Sequence, residues 1–540
     1  MLDEDVILRE VHNYALDGNL FAFFTGYKSM IVHSAIKLRM IEGAYMPAQT
    51  PSAAKTPDNS QGIGLFHLVT SVITLIIGAG VFSLCGDMAA RGADGQAIIT
   101  AWSISGVGVL CLVLTFFALS RIKPNLKGGI YSYASEGFGQ FVGFCSAWGY
   151  WISAILCTVS FSALLFSALA YFFPVFGAGN NLPSIIGASI IVWFYVLVVS
   201  RGVTEAAALN AVITISKLVP LFVALVAIIF LGKFNPDVFV ANLSAVTVNP
   251  DTGATLSGID KVTAALTTTM WVFIGIEGAV AISGRAKFSG DVGKATIIAF
   301  FCVLAIYLMV SLLSLGVLPL EDLAALENPP MAQLMQAAVG DWGAILINIG
   351  VAMSLIGAML GYTVLTAESP FEAAQQSVCF PRIFAKTNEK GAPVATLVIS
   401  AAVVEAFLII MMFSDNTYQF FYVISAGMIL PPYLLSAAYL VKLTFTESGS
   451  FAGKVNGSVP LYRILGIVGV AYSLLLCFAT GATGLAIMSF LYAPGIAVYI
   501  WSKKEHGEKL LSSVSDKVVL AIILVALVVS IFLAATGGLS

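Results

Sequence analysis

Three ionisable residues fall inside long apolar runs of this sequence: Lys217, Glu277 and Glu405. A charge in that setting is expensive, so each is expected to face protein or a water-filled cavity rather than hydrocarbon. Lys217 lies about ten residues into its run, roughly 15 Å along a helix, too deep for its stem to carry the ammonium back to the near interface. Three roles suit it: a fixed cation in place of a bound Na⁺, a group that releases and regains a proton, or a donor to backbone carbonyls. Glu277 can attract a cationic side chain or titrate as the site fills and empties. Glu405 has no such company and reads as a peripheral helix–helix hydrogen bond.

Two glycine-rich interruptions give these charges a context. Ile76-Ile77-Gly78-Ala79-Gly80-Val81-Phe82 lies in the middle of the first apolar run, and Trp271-Val272-Phe273-Ile274-Gly275-Ile276-Glu277-Gly278 repeats the pattern in the sixth. Paired glycines at mid-depth let a membrane helix unwind and bring its backbone close to a ligand. The bare N–H groups at the start of the following half-helix suit an anion such as a carboxylate. A single such stretch also fits a small-residue packing interface. Two of them, about 200 residues apart in corresponding places, predict a transporter built on an inverted repeat. Trp271, six residues before Glu277, is placed to cover the apolar stem of a substrate, and Phe161 and Tyr362 can offer ring faces to a cation.

Composition sets the class of elements that must position these groups. The chain has 540 residues, 59% hydrophobic and 10% charged, with a mean hydropathy of +0.95. A soluble domain carries about a quarter charged residues, so this is a polytopic membrane protein. The spacing predicts helical spans at 63–88, 97–120, 129–171, 183–200, 207–231, 262–283, 293–318, 342–367, 393–413, 418–441, 461–480, 484–501 and 518–537. The third is expected to start with interfacial turns. No alternating pattern at barrel spacing competes with helices. The seven cysteines are scattered without a CxxC pair and the four histidines are isolated, so neither a metal site nor another cofactor is expected. A P-loop is also missing from the sequence, which disfavours an ATP-driven pump.

Charge in the loops alternates. Arg121, Lys123 and Lys127, then Arg201, then Arg285, Lys287 and Lys294, then Arg382, Lys386 and Lys390 share one side. Lys442, Lys454 and Arg463, then Lys503, Lys504 and Lys509, continue it, while the opposite loops carry Asp237, Asp251, Asp260, Glu321, Asp322, Glu327 and Asp341. The positive-inside rule puts the basic side and the N-terminus in the cytoplasm and Ser540 outside. Residues 1–60 differ from the rest, without a convincing secretory signal, and are expected to be a poorly ordered cytoplasmic arm. A transporter core over 61–502 follows, with repeats at about 63–231 and 262–441. Residues 503–540 read as a cytoplasmic linker and an added span.

The motifs Ile77 to Phe82, Gly128-Gly129-Ile130-Tyr131-Ser132-Tyr133, Trp271 to Glu277 and Gly391-Ala392-Pro393-Val394-Ala395, in this order across ten spans, resemble the amino acid-polyamine-organocation superfamily. More narrowly they resemble its basic amino acid/polyamine antiporters, the group of the arginine/agmatine and arginine/ornithine exchangers. The resemblance runs from about Gly62 to Trp501 and implies an all-α, five-plus-five inverted repeat with spans one and six broken. It further implies that Gly78, Ala79 and Gly80 bind the substrate carboxylate and that carbonyls of Ile76, Trp271 and Ile274 receive its amino group. Ala154, Thr158, Phe161, Tyr362 and Ser425 would surround the side chain. Trp271 would be a middle gate, Tyr131 and Tyr433 would gate the cytoplasmic side, and Glu277 would match the acidic residue of proton-sensitive exchangers. Ala79, Thr158 and Tyr362 depart from the arginine/agmatine pattern, which has serine, asparagine and tryptophan there. Lys217 departs from it too and resembles a lysine of proton-coupled relatives, so both coupling modes stay open.

The leading expectation is therefore a secondary transporter exchanging cationic amino acids, arginine for ornithine. A proton-coupled amino acid importer and an agmatine/putrescine- or lysine-type exchanger are the alternatives, and a sensor without turnover is also compatible. An enzyme is not expected, because no nucleophile–base pair or phosphate loop accompanies the buried charges. The expected partners are the bilayer, a cationic amino acid or polyamine and, in a homodimer, a second copy of the chain; nucleic acid is not among them.

Overall fold

The structure, a computed structural model, describes residues 64–126, 130–201, 207–231, 233–249, 253–277, 289–376, 379–413 and 417–536. The expected N-terminal arm, Gly128, Gly129, Gly278, Arg285 and Lys287 lie outside the described residues. The protein is all-helical apart from one isolated bridge, Val248 to Thr255, among the described residues. Ten described helices are long and apolar enough to cross a membrane. The first span is interrupted, the fifth carries Lys217, and the sixth is described as far as Glu277.

The first span is α1 (Leu65–Ile76) followed by α2 (Leu84–Ala90), with a short 3₁₀ turn, Gly80–Phe82, between them. The chain continues through α3 (Gly95–Ile122), α4 (Ile130–Phe138), α5 (Gln140–Ala170), α6 (Leu182–Ser200) and α7 (Ala207–Phe230). After α8 (Pro236–Leu243), the second half opens with α9 (Gly258–Val272), α10 (Ser289–Ser314), α11 (Leu320–Ala324) and α12 (Pro330–Val339). It proceeds through α13 (Asp341–Gln376), α14 (Val394–Met411) and α15 (Thr417–Thr446). Three further helices, α16 (Val459–Ala479), α17 (Gly481–His506) and α18 (Val514–Thr536), follow among the described residues.

Polar residues set the helix ends. Asp94 caps α3 by accepting from the Ala97 N–H at 2.9 Å, and its other oxygen holds the Lys261 ammonium at 2.8 Å. Ser257 and Asp260 form a reciprocal capping box at the start of α9. The expected third span is divided: Gly139, at φ +117°, ends α4 and lets α5 start in a new direction. A Cβ at Gly139 would lie 2.6 Å from Asp516 Oδ1, and that same oxygen accepts from the Phe141 N–H at 3.0 Å. The eighth span is longer than its apolar core because α13 continues to Gln376 after hydrophobicity ends near Ala367. The Tyr131 hydroxyl meets that polar extension at Glu372, 3.4 Å away.

Packing obeys a pseudo-two-fold relation that carries each helix of the first half onto its counterpart five spans later. α1 packs on α10 as α9 packs on α3; α7 packs on α13 as α15 packs on α5; α6 packs on α13 as α14 packs on α5. The pairs α5 with α13, α6 with α14 and α3 with α10 map onto themselves, and α4 lies on α5 as α12 lies on α13. Five crossings is an odd number, so the second half enters from the opposite face and the repeat is inverted. Two faces result. The Lys123–Glu447 ion pair at 2.8 Å and the bond from Asn388 to the Ser200 carbonyl at 2.8 Å lie with α4 on one; Lys261–Asp94 lies with α12 on the other. α18 packs on α17 and α5, with Ile522, Val525, Val529 and Phe532 turned outward.

Candidate substrate site

Both breaks form where the glycines stand. α1 stops at Ile76 with Ile77 in an extended conformation, and the helix resumes only at Leu84. α9 stops at Val272; Phe273 and Ile274 close a tight turn onto Met270 and Trp271, and Gly275 takes φ +104°. Gly80 is required by close approach: a Cβ there would lie 2.5 Å from Val272 Cγ1 and 2.9 Å from Trp271 Nε1. Gly78 by contrast faces open space with Phe161 at 3.9 Å.

The breaks are tied to each other by a residue that periodicity does not single out. The hydroxyl of fully buried Tyr307, on α10, reaches the Val272 carbonyl at 2.8 Å and the Ile76 carbonyl at 3.3 Å. It thus satisfies backbone groups that lost their helical partners on both half-helices. Tyr307→Phe removes a bond of about 1 kcal/mol and leaves a buried carbonyl short of a donor. The expected result is substrate affinity lower by about fivefold and a thermal midpoint lower by a few degrees, read by binding and unfolding of the purified protein.

Between the breaks lies a cavity of about 210 Å³. Ile76, Gly78, Ala79 and Gly80 line it from the first break, Trp271, Ile274 and Glu277 from the second, and Phe161, Tyr362 and Lys217 from α5, α13 and α7. Tyr150 and the Gly357 and Gly361 pair of α13 join them, and the Gly-x-x-x-Gly spacing of that pair is the signal that could have found it. Ala154, Thr158 and Ser425 do not line this cavity. The Thr158 hydroxyl turns back to the Ala154 carbonyl at 3.1 Å, and Ser425 exchanges bonds with Ser153 and Cys157 behind it.

Glu277 is held by three donors. Tyr150 donates to Oε1 at 3.1 Å, the Gly275 N–H to Oε2 at 3.1 Å, and Tyr433 makes a short bond to Oε2. Tyr433 therefore sits beneath the cavity on the α4 side, its ring against Phe116, while Tyr131 lies away from it against Glu372. Charge-assisted bonds of this kind fix the carboxylate in place. On the α12 side, Trp271 stacks on Tyr422 at 5.3 Å and reaches the Tyr418 hydroxyl at 3.4 Å. Phe161 lies 5.9 Å from Trp271 and 5.0 Å from Tyr362, closing an aromatic wall. Trp271→Ala opens this ceiling without touching the lipid-facing shell. Equilibrium binding and exchange are expected to fall about tenfold while membrane abundance persists. Normal exchange by the purified variant would reduce Trp271 to packing.

Lys217 is buried, and its ammonium donates to the Thr74 and Ile77 carbonyls at 2.7 Å each. Those are terminal carbonyls of α1, where the helix dipole is negative and a cation is favoured. Glu405 accepts from Ser189 at 2.8 Å across α14 and α6, apart from the cavity, with its other oxygen unpartnered among the described residues.

What this site can do follows from its two ends. One offers backbone groups of interrupted helices; the other offers a fixed carboxylate among aromatic faces. Together they suit a zwitterion carrying a second cation.

Comparison with known proteins agrees with the architecture. The family model described as amino acid permease matches residues 63–499. The arginine/ornithine antiporter of Pseudomonas aeruginosa is 39% identical over 477 residues, 87% of this chain and 97% of that protein. That of Latilactobacillus sakei is 38% identical over 483 residues, covering 88% and 97%. The arginine/agmatine antiporter of Chlamydia pneumoniae is 38% identical over 484 residues, covering 89% and 98%. A match over more than four-fifths of the sequence, broken helices included, places the chain in the amino acid permease family.

Proposed function

We propose that the protein exchanges cationic amino acids across the cell membrane by alternating access, with arginine for ornithine as the preferred pair. The observation that carries the reading is the distribution of charge around one cavity: backbone of both breaks at one end, Glu277 and the aromatic wall at the other. The substrate's carboxylate lies against Gly78, Ala79 and Gly80, and its amino group against the carbonyls of Ile76, Trp271 and Ile274. Its side-chain cation points toward Glu277, over Phe161 and Tyr362. The names of the similar antiporters support the same substrate class. The basic residues of the α4 face, Arg121, Lys123, Arg201, Arg382 and Lys386 among them, support placing that face and the N-terminus in the cytoplasm.

Counterflow in proteoliposomes tests the reading. Labelled arginine should enter vesicles loaded with arginine or ornithine and should not accumulate in empty ones. Competition by agmatine, putrescine and lysine then ranks the substrates that the distal wall at Phe161 and Tyr362 accepts.

A proton-coupled importer is the second reading, because an ammonium at the cavity wall can also release a proton. Net accumulation into empty vesicles driven by an imposed pH gradient would establish it in place of obligate exchange.

A further inference from the structure

Asp87 lies on α2, one helical turn beyond Ser83, and is fully buried, at 0% exposure. Its Oδ1 accepts from Gln419 Nε2 at 3.0 Å, while its Oδ2, with the Ser83 and Tyr422 hydroxyls and Arg91 nearby, has no donor at full hydrogen-bond geometry among the described residues. Among the described residues no cation stands within ion-pair distance, Arg91 on the next turn included. Gln419 is held in turn by Asn328 at 3.3 Å, just before α12, and α11 and α12 pack on α2 from above. That cover is close: a Cβ at Gly86 would lie 2.7 Å from Pro330. A half-satisfied carboxylate sealed between three elements needs a reason, since native structures pair such groups.

Its position supplies one. Tyr418, next to Gln419, contacts the Ser83 hydroxyl at 2.9 Å and the Trp271 indole at 3.4 Å, and Trp271 lines the cavity. Asp87 and Glu277 therefore stand on opposite sides of one aromatic layer, made of Trp271, Tyr418 and Tyr422. A solute passing between the cavity and the α12 face has to part that layer, and with it α2 from α15. The contacts holding them there are neutral hydrogen bonds and one amide to a carboxylate, which are readily exchanged for water. Opening gives Asp87 Oδ2 the partners that closure denies it.

We propose that Asp87 is an outer cation subsite: once α2 and α15 separate, its carboxylate receives the guanidinium or ammonium end of the entering substrate before that end reaches Glu277. The inference rests on the reading of the protein as an exchanger of cationic amino acids.

The test is Asp87→Asn, measured in right-side-out and inside-out membrane vesicles with arginine as substrate and citrulline, its uncharged counterpart in shape, as competitor. The KM for arginine is expected to rise about tenfold, or ~1.4 kcal/mol, at one membrane face only. The maximal exchange rate should stay within about twofold, and citrulline competition should not change. Asp87→Glu should restore most of the lost affinity. Should the amide variant fail to accumulate, Asp87→Ser, smaller and equally uncharged, carries the same measurements. An unchanged KM, an equal change at both faces, or an equal effect on arginine and citrulline would overturn the subsite. Failure of the unmodified protein to exchange arginine would instead overturn the functional reading itself.

Discussion

Exchange by Lys217→Ala is expected to fall by about a hundredfold or more while the protein still reaches the membrane. The ammonium is the donor to two carbonyls, Thr74 and Ile77, that the first break deprives of helical partners. Hydrogen bonds to a charged donor contribute about 1.5–3 kcal/mol each, and the variant loses both. Since ~1.4 kcal/mol is tenfold, even one such bond accounts for much of the expected loss. The effect should fall on cycling more than on folding, because the bonds join α7 to the junction of an interrupted helix beside the cavity. If Lys217 acts as a fixed cation in place of a bound Na⁺, wild-type counterflow should proceed in Na⁺-free medium with the pH gradient collapsed. Counterflow at near-normal rate by the alanine variant would remove Lys217 from the mechanism.

Glu277→Gln is the second large effect, and it should separate charge from shape. The amide keeps the volume and can still accept from Tyr150 or Tyr433, but one of its two ends becomes a donor facing groups that donate. A cationic side chain loses its counter-charge in a buried site, where such pairs matter most. Affinity for arginine and ornithine should drop about 10- to 100-fold, with binding of a neutral analogue of similar length changing far less. Removing the ionisable group should also flatten the dependence of uptake on pH between about 5 and 8. Uptake at saturating and subsaturating arginine across that range decides it, and an unaltered rate and profile would exclude Glu277 from both roles.

How much of this was legible before the structure varies with the kind of interaction involved. Spans could be counted because a bilayer demands about 20 apolar residues per crossing, whatever the neighbours are. Both helix breaks could be placed because glycine acts locally, through the backbone of its own turn. The division of the third span at Gly139 was not placed, because the polar stretch from Ser132 to Gln140 reads equally as interfacial turns of one helix and as a separate short helix. Asp87 escaped notice for a related reason. It lies at the end of the first apolar run, where a charge reads as the membrane boundary, and only the cover of α11, α12 and α15 makes it a buried one.

Composition and local chemistry thus determined that this chain crosses the membrane many times, that its first and sixth spans are interrupted, and that Lys217 and Glu277 need protein partners. Tertiary structure alone decided who those partners are. Helices apolar on every side carry no stripe that says which face meets which neighbour. The contacts of Lys217 with Thr74 and Ile77, of Tyr307 with both breaks, and of Glu277 with Tyr150 and Tyr433 therefore depend on how the two inverted halves pack. Each joins residues far apart in the chain, through side chains whose direction is set by packing against a neighbouring helix rather than by the residues beside them.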